Sequence, residues 1–236
     1  MQKLSTLSQE QKYRLLLLAV LAASSVLCIG LFIARFTTSE SRRYTSLIWN
    51  LFLAWIPFWL AWIADTSTRL PKTIRFGLVG ICAFLWLIFF PNAPYLLTDF
   101  QHLARNNGNV PVWYDVLMLL WFSWSGLLLG IISLHLMQRM VTSWLGWATG
   151  WFFVLGVTIL SSLGIYVGRF LRWNSWDIFV QPFSLPGQFL EAVAQEQERT
   201  LAFSLLFALF FLFVYVSLHL FGRLIQAQPA PGESLK

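Results

Sequence analysis

The chain has 236 residues, of which 58% are hydrophobic, 17% aromatic and only 11% charged, and its mean hydropathy is +0.67. Soluble domains carry about a quarter charged residues, so this composition excludes an ordinary water-soluble domain. The net charge of +6 does not indicate nucleic-acid binding, because the basic residues are spread through short connections between apolar runs. The composition instead predicts a single membrane domain over residues 1–236.

Six stretches nearly free of charge are long enough to cross hydrocarbon about 30 Å thick. Their continuous apolar character lacks the alternation of barrel strands, so we predict an all-α, polytopic transmembrane helical bundle. Glycines four residues apart, such as Gly126 and Gly130, predict close packing between helices of the chain. The predicted spans are residues 15–34, 46–64, 76–97, 116–137, 144–167 and 201–221.

The last connection, residues 168–200, separates the fifth span from the sixth. Apolar residues recur between Gln188 and Thr200, which predicts a short amphipathic helix at the membrane interface. Residues 226–236 are predicted to form a flexible tail. With six spans, the side that holds both termini carries nine basic residues against seven on the other side, which favours cytoplasmic termini.

The third span ends in an unusual polar motif, Pro-Asn-Ala-Pro-Tyr-Leu-Leu-Thr-Asp-Phe-Gln-His. Pro91 and Pro94 remove backbone donors, so the chain is expected to kink or unwind near Phe90. Non-helical backbone at that depth must be buried in protein or face water. If the helix resumes after Pro94, Asp99 and His102 lie three residues apart on one face.

Two further polar stretches follow, one at the start of the fourth span and one after the fifth. Asp115 opens the fourth span, where it favours the positive end of a helix. The fifth connection begins Gly-Arg-Phe-Leu-Arg-Trp-Asn-Ser-Trp-Asp, in which Arg169 and Arg172 can pair with Asp99, Asp115 or Asp177. An even number of crossings separates these stretches from the end of the third span. We therefore expect all of them at one membrane face.

Two interpretations of this polar set remain open. It is either a structural network of ion pairs and hydrogen bonds or a binding site in which the arginines receive an anion and the tryptophans form walls. In a binding site, Asp99 and His102 transfer protons or hold a metal. The candidate catalytic residues are Asp99, His102 and Asp115, and the candidate ligand-binding residues are Asn92, Tyr95, Arg169, Arg172, Asn174, Trp176 and Asp177.

The sequence favours a module that binds a lipid or anionic ligand, or that assembles a membrane complex. One alternative is a membrane-embedded enzyme that acts on a lipid-linked or anionic substrate through Asp99 and His102. A second alternative is a transporter of small solutes. Transporters usually carry ionisable groups near mid-membrane, but the first, second, fifth and sixth spans carry none there. The second span is interrupted only by Asn50 and Pro57. Three histidines are few for a metal site, so no metal or cofactor is predicted. The expected partners are membrane lipids and a membrane protein, and not nucleic acid.

The run PNAPYLLTDFQHL, the later YD pair and GRFLRWNSWD resemble the bacterial membrane family called domain of unknown function 1361. The resemblance covers roughly residues 40 to 225. It implies an integral protein of the bacterial inner membrane and implies no particular activity. The residues that match the family pattern are Pro91, Asn92, Pro94, Tyr95, Thr98, Asp99, His102, Asp115, Arg169, Arg172, Asn174, Ser175, Trp176 and Asp177.

Overall fold

A computed structural model describes residues 8–39, 44–67, 70–105, 110–180 and 197–227, together with residues 187, 191 and 194. The predicted interfacial helix at 188–200 and the predicted tail at 226–236 therefore lie largely outside the described residues. The α-helices with described bounds are α1 (Gln9–Ser39), α2 (Thr45–Thr66), α3 (Lys72–Phe89), α4 (Asn92–Tyr95), α5 (Val112–Leu145), α6 (Trp147–Tyr166), α7 (Asp177–Val180) and α8 (Gln197–Gln226). A 3₁₀ segment (Leu96–Arg105) follows α4 and a π-helical turn (Val167–Leu171) follows α6.

Within the described residues, six helical segments are long and apolar enough to cross a membrane, which confirms the predicted all-α, multi-pass fold. They extend past the predicted spans at most ends, because charged residues that delimit a span in the sequence lie within the helical ends. The chain divides into two compact units, residues 1–144 and residues 145–236. The six segments are Gln9–Thr38, Thr45–Thr66, Lys72–Leu103, Val112–Leu145, Trp147–Leu171 and Glu198–Gln226.

The core of the first unit is an apolar cluster contributed by α1, α2, α4 and α5. Its largest members are buried aromatic and aliphatic side chains, while the other faces of these helices expose apolar side chains. Lipid tails are as apolar as those side chains, so close packing rather than water exclusion must hold the helices together. The buried cluster contains Leu21, Cys28, Tyr44, Leu47, Leu51, Ala54, Phe58, Ala93, Leu96, Met118, Leu119, Phe122 and Leu129.

The third span is interrupted where its two prolines predict. α3 ends at Phe89, and the Nδ2 of Asn92 donates to the carbonyl oxygen of Phe89 at 2.9 Å. The hydroxyl of Ser123 on α5 donates to the carbonyl oxygen of Leu96 at 2.9 Å. Hydrocarbon offers no hydrogen bonds, so side chains must satisfy the backbone groups that a broken helix releases. Ala93 in the interruption is fully buried, as the sequence argument requires.

Gly126 allows the interruption to pack directly against α5. A Cβ atom at this position would lie 2.5 Å from the carbonyl oxygen of Ala93 and 2.5 Å from the Cδ1 of Leu96. No side chain larger than hydrogen fits there unless the backbone moves. The close helix contact predicted for this glycine is therefore a contact with the broken third span.

Hydrogen bonds between side chains also join α1 to α2 and α5 in the middle of the first unit. The hydroxyls of Ser24 and Ser125 lie 2.6 Å apart, and the indole of Trp121 donates to Ser24 at 3.0 Å. The indole of Trp55 on α2 donates to Ser25 at 3.0 Å. Such bonds hold helices together where lipid provides no competing partner.

An ion-pair cluster joins the same three helices near the start of α1. The carboxylate of Asp65 lies 2.8 Å from the guanidinium of Arg14 and 2.6 Å from that of Arg139. Glu10 pairs with Arg14 at 2.8 Å, and the guanidinium carbon of Arg14 lies 5.5 Å from the centre of the Trp62 ring. We call these five residues the Asp65 cluster. Its central carboxylate is only 4% exposed, so its charge depends on the two arginines.

The second unit contains α6, packed against α8. The rings of Trp151 and His219 lie 5.2 Å apart, and the ring of Tyr215, which is almost fully buried, lies 6.3 Å from that of Trp151. α6 begins directly after Gly146, whose φ of 92° is strained for any residue with a side chain. A glycine at this position therefore sets where α6 starts.

The substitution Gly126→Ala is expected to destabilise the protein by about 1–3 kcal/mol, because the new methyl group overlaps a backbone carbonyl that cannot rotate away. The free energy of unfolding in detergent measures the effect. Gly80→Ala on α3 is the matched control, since open space surrounds Gly80. Equal losses in the two variants would contradict the assigned contact.

The substitution Asp65→Asn is expected to destabilise the protein by about 3 kcal/mol, because it removes the central charge of the Asp65 cluster. Arg139→Ala is expected to cost about 1 kcal/mol, since that side chain is 51% exposed and its charge is screened. Unfolding of both variants in the same detergent tests the order of the two losses. A larger loss for Arg139→Ala would show that burial does not set the strength of this cluster.

Candidate functional site

Asp115 forms a buried salt bridge with Arg35, which lies near the end of α1. The Nε of Arg35 donates to Oδ1 of Asp115 at 2.9 Å and its Nη2 donates to Oδ2 at 3.3 Å. The hydroxyl of Tyr44 also donates to Oδ2 at 3.0 Å, and the guanidinium carbon of Arg35 lies 5.1 Å from the centre of the Tyr44 ring. We call these three residues the Asp115 cluster. All are at most 4% exposed, so the paired charges lie in protein.

Asp99 and His102 lie beside the Asp115 cluster, on the 3₁₀ segment that follows the broken third span. The carboxylate of Asp99 is 1% exposed and accepts a hydrogen bond from the Nδ2 of Asn50 at 3.1 Å. The Nε2 of His102 lies 3.7 Å from Oδ1 of Asp99. The imidazole edge meets the ring of Tyr44, with ring centres 6.2 Å apart and planes at 86°. Tyr44 therefore links the Asp115 cluster to the histidine.

The three candidate catalytic residues thus lie within one network of the first unit, but they differ in access. Asp115 is fully buried and holds a guanidinium, so it cannot meet a substrate without breaking the salt bridge. Asp99 is also buried. The side chain of His102 is 24% exposed, which makes it the member of the three that can contact a substrate.

Asn92 and Tyr95, two candidate ligand-binding residues, lie in the interruption of the third span. Asn92 is half-buried, and its side chain donates to the last carbonyl oxygen of α3. The backbone N–H of Tyr95 donates to the carbonyl oxygen of Pro91 at 3.0 Å, and the hydroxyl of Thr98 donates to the Tyr95 carbonyl at 2.7 Å. Asn92 therefore satisfies the last carbonyl of α3, and the backbone of Tyr95 is bonded on both sides within the interruption.

The remaining candidates lie in the second unit, where α6 ends in a π-helical turn. Arg169 is half-buried within that turn, and Arg172 follows it as an exposed residue in the left-handed region, with φ 59° and ψ 33°. The side chain of Trp176 is half-buried. The carboxylate of Asp177 accepts the backbone N–H of Asn174 at 2.7 Å, and the carbonyl oxygen of Asn174 accepts the N–H of Asp177 at 3.0 Å. Asp177 therefore closes the turn before α7.

A third arginine, Arg199 of α8, lies against the same π-helical turn. Its guanidinium carbon is 4.6 Å from the centre of the Phe170 ring. Phe170 in turn contacts the rings of Tyr166 at 4.8 Å and Phe203 at 5.3 Å. We call Arg169, Arg172 and Arg199 the arginine cluster. Aromatic packing thus joins the start of α8 to the end of α6.

Four residues of these networks did not emerge from the sequence as site residues. Arg35 was visible only as the charge that ends the first span, and Asn50 only as a polar interruption of the second. Tyr44 lies in a short connection and carries no motif, and Arg199 lies in a mixed-charge stretch. The one signal in the sequence was the charge of Arg35 at the end of the first span. Lipid makes a charge at that position costly, so a charged partner for it could be expected.

The described residues include no group of three or more histidine, cysteine or carboxylate side chains that could hold a metal ion. Among the candidate residues, an imidazole such as that of His102 is a side chain that can transfer protons, and guanidinium groups are side chains that can pair with an anion.

Comparison with known proteins agrees with the resemblance seen in the motifs. No curated protein and no solved structure matches the chain. A family model described as "Protein of unknown function (DUF1361)" matches residues 49–214. This range contains the Asp99–His102 pair, Asp115 and the arginine cluster, whereas Arg35 and Tyr44 precede it. The chain therefore belongs to the DUF1361 family.

Proposed function

We propose that this multi-pass membrane protein binds the anionic headgroup of a membrane lipid through the arginine cluster. The observation that carries the proposal is the exposed Arg172, held in the left-handed backbone region directly after a π-helical turn. The proposal concerns the second unit alone.

The backbone of Arg172 costs energy that a glycine would avoid. A non-glycine residue in the left-handed region is disfavoured by about 1–2 kcal/mol, and glycine is the residue usually found there at the end of a helix. Strained residues concentrate at functional sites, where the strain is retained because the side chain is needed. An arginine in this position therefore supports a role for its guanidinium.

The neighbouring carboxylate is engaged with its own turn. Asp177 accepts the N–H of Asn174 at 2.7 Å, and its Oδ2 also lies 3.5 Å from the Nδ2 of Asn174. Both contacts use Oδ2 and stay within the turn. Asp177 thereby stabilises the turn that directly follows Arg172.

The aromatic surroundings favour a lipid as the source of the anionic group. Trp173 and Trp176 follow Arg172 in the chain and are half-buried, and indoles prefer the headgroup region of a membrane. Arg199 lies face-on to Phe170, an arrangement that supports a guanidinium at an apolar surface. Guanidinium groups bind phosphate through paired hydrogen bonds, which matches a phosphodiester headgroup.

We place the protein in a bacterial cytoplasmic membrane, with both termini in the cytoplasm. The excess of basic residues predicted on the side of the termini supports this orientation. A membrane-protein partner at the same surface is the other binding role that this sequence favours, and failure of lipid binding would direct attention to it.

The substitution Arg172→Gly is expected to lower the affinity for phosphatidylglycerol about tenfold, because one charge-assisted contact is lost. The same change is expected to leave the unfolding midpoint unchanged or raised, since glycine relieves the left-handed backbone. Native mass spectrometry of the full chain in detergent, with phosphatidylglycerol or phosphatidylcholine added, measures the bound lipid.

Arg223→Ala is the matched control, because it removes the same charge from an exposed position at the other end of α8. It should retain the wild-type preference for phosphatidylglycerol. Inorganic phosphate is the second ligand, and displacement of the lipid by millimolar phosphate would identify a soluble anion as the occupant. Equal binding of both lipids by the wild type would overturn the proposal.

A further inference from the structure

Asp99 and His102 have the arrangement of an acid–base pair with one buried and one accessible member. A 3₁₀ helix has three residues per turn, so side chains three apart lie directly above one another. The pair lies within the 3₁₀ segment Leu96–Arg105. The carboxylate is 1% exposed and the imidazole is 24% exposed. One member is thus held in protein while the other reaches solvent.

The geometry also distinguishes the two nitrogens of the imidazole. Nε2 is the nitrogen that faces Oδ1 of Asp99, at 3.7 Å. A carboxylate accepts hydrogen bonds, so it favours the tautomer with the proton on Nε2 and the lone pair on Nδ1. The separation exceeds a direct hydrogen bond, but acid–base pairs are often long before a substrate binds and shorten afterwards.

We propose that His102 is a general base that accepts a proton from a hydroxyl group or a water molecule, with Asp99 as its positioning residue. In this step the O–H bond breaks, its electron pair stays on oxygen, and the proton forms a bond to Nδ1. The imidazole becomes an imidazolium whose positive charge faces Asp99. The oxygen becomes a nucleophile for hydrolysis or group transfer. This activity goes beyond headgroup binding and belongs to the first unit.

Helix α2 supplies the support that such a base requires. The amide of Asn50 donates to Oδ2 of Asp99 at 3.1 Å, which directs the other carboxylate oxygen towards His102. The ring of Tyr44, which is fully buried, meets the imidazole edge-on and limits its rotation. A catalytic group must be held by neighbours that cannot move, and both of these neighbours are on or next to one helix.

Among the described side chains, Arg35 and Asp115 also contact Tyr44, and they form a salt bridge with each other. The described carboxylate beside the imidazole of His102 is that of Asp99. The partly exposed imidazole is accessible to a substrate, as a general base must be.

The tautomer of His102 in the wild-type protein tests the proposal directly. Nitrogen chemical shifts of ¹⁵N-histidine-labelled full chain, measured at pH 8 and assigned with His102→Gln, distinguish protonated from bare ring nitrogens. We expect a proton on Nε2 and a bare Nδ1. A proton on Nδ1, alone or with one on Nε2, would overturn the proposal without the need for a folded variant of Asp99.

The reactivity of His102 towards diethyl pyrocarbonate tests the role of Asp99. The bare imidazole nitrogen attacks a carbonyl carbon of this anhydride, and ethyl carbonate leaves and decomposes to ethanol and carbon dioxide. We expect the rate at His102 to fall at least about tenfold in Asp99→Asn and to recover in Asp99→Glu. Peptide mass spectrometry measures this rate against His135 and His219 in the same digest, as internal controls.

An unchanged rate at His102 in Asp99→Asn, or the same fall at all three histidines, would show that Asp99 does not activate the imidazole. The variant Arg172→Gly should keep the wild-type rate at His102. Loss of lipid binding in that variant with full histidine reactivity would separate the two proposals, so that either can fail alone.

Discussion

The buried salt bridge between Arg35 and Asp115 is the interaction on which the organisation of the first unit depends. An ionised group that is removed from water must find its opposite charge, since a buried unpaired charge costs several kcal/mol. The pair joins the end of α1 to the start of α5, and the Tyr44 hydroxyl on the same carboxylate adds the start of α2. Three helix ends are therefore fixed at one point. His102 lies against the tyrosine of that point, so the position of the histidine follows from the salt bridge.

The same physical rule operates at the other ends of these helices. Asp65 forms ion pairs with Arg14 and Arg139. The contact between Ser24 and Ser125 lies between the Asp65 cluster and the Asp115 cluster. α1 and α5 are therefore joined at three levels. Since lipid supplies no hydrophobic force between helices, these polar contacts determine how the helices align, while close contacts such as that at Gly126 determine how near they approach. The interrupted third span is held against this frame.

The sequence predicted the number of spans and the place of the interruption, because hydropathy and proline act locally. It ended the first span too early and began the fourth span too late, since it treated Arg35 and Asp115 as boundaries, although both lie inside helices. Their pairing joins residues 80 positions apart, and no local pattern in one sequence reveals such a partner. Asp99 and His102 were predictable as a pair because their spacing is local. Tyr44, which links that pair to the salt bridge, gave no signal, since an isolated tyrosine in a connection has many roles.

The two units use their charged residues in opposite ways. In the first unit Asp65, Asp99 and Asp115 are buried beside donors or positive charges, and the accessible group among the catalytic candidates is the imidazole of His102. In the second unit a carboxylate closes a turn, and a guanidinium is exposed on strained backbone. Buried pairs keep neighbouring groups in one geometry, which suits proton transfer, whereas an exposed arginine can adapt to a headgroup. Lipid binding through the arginine cluster therefore does not require the buried pairs of the first unit. The arrangement of Asp99, Asn50 and Tyr44 around His102 is the feature that lipid binding does not explain.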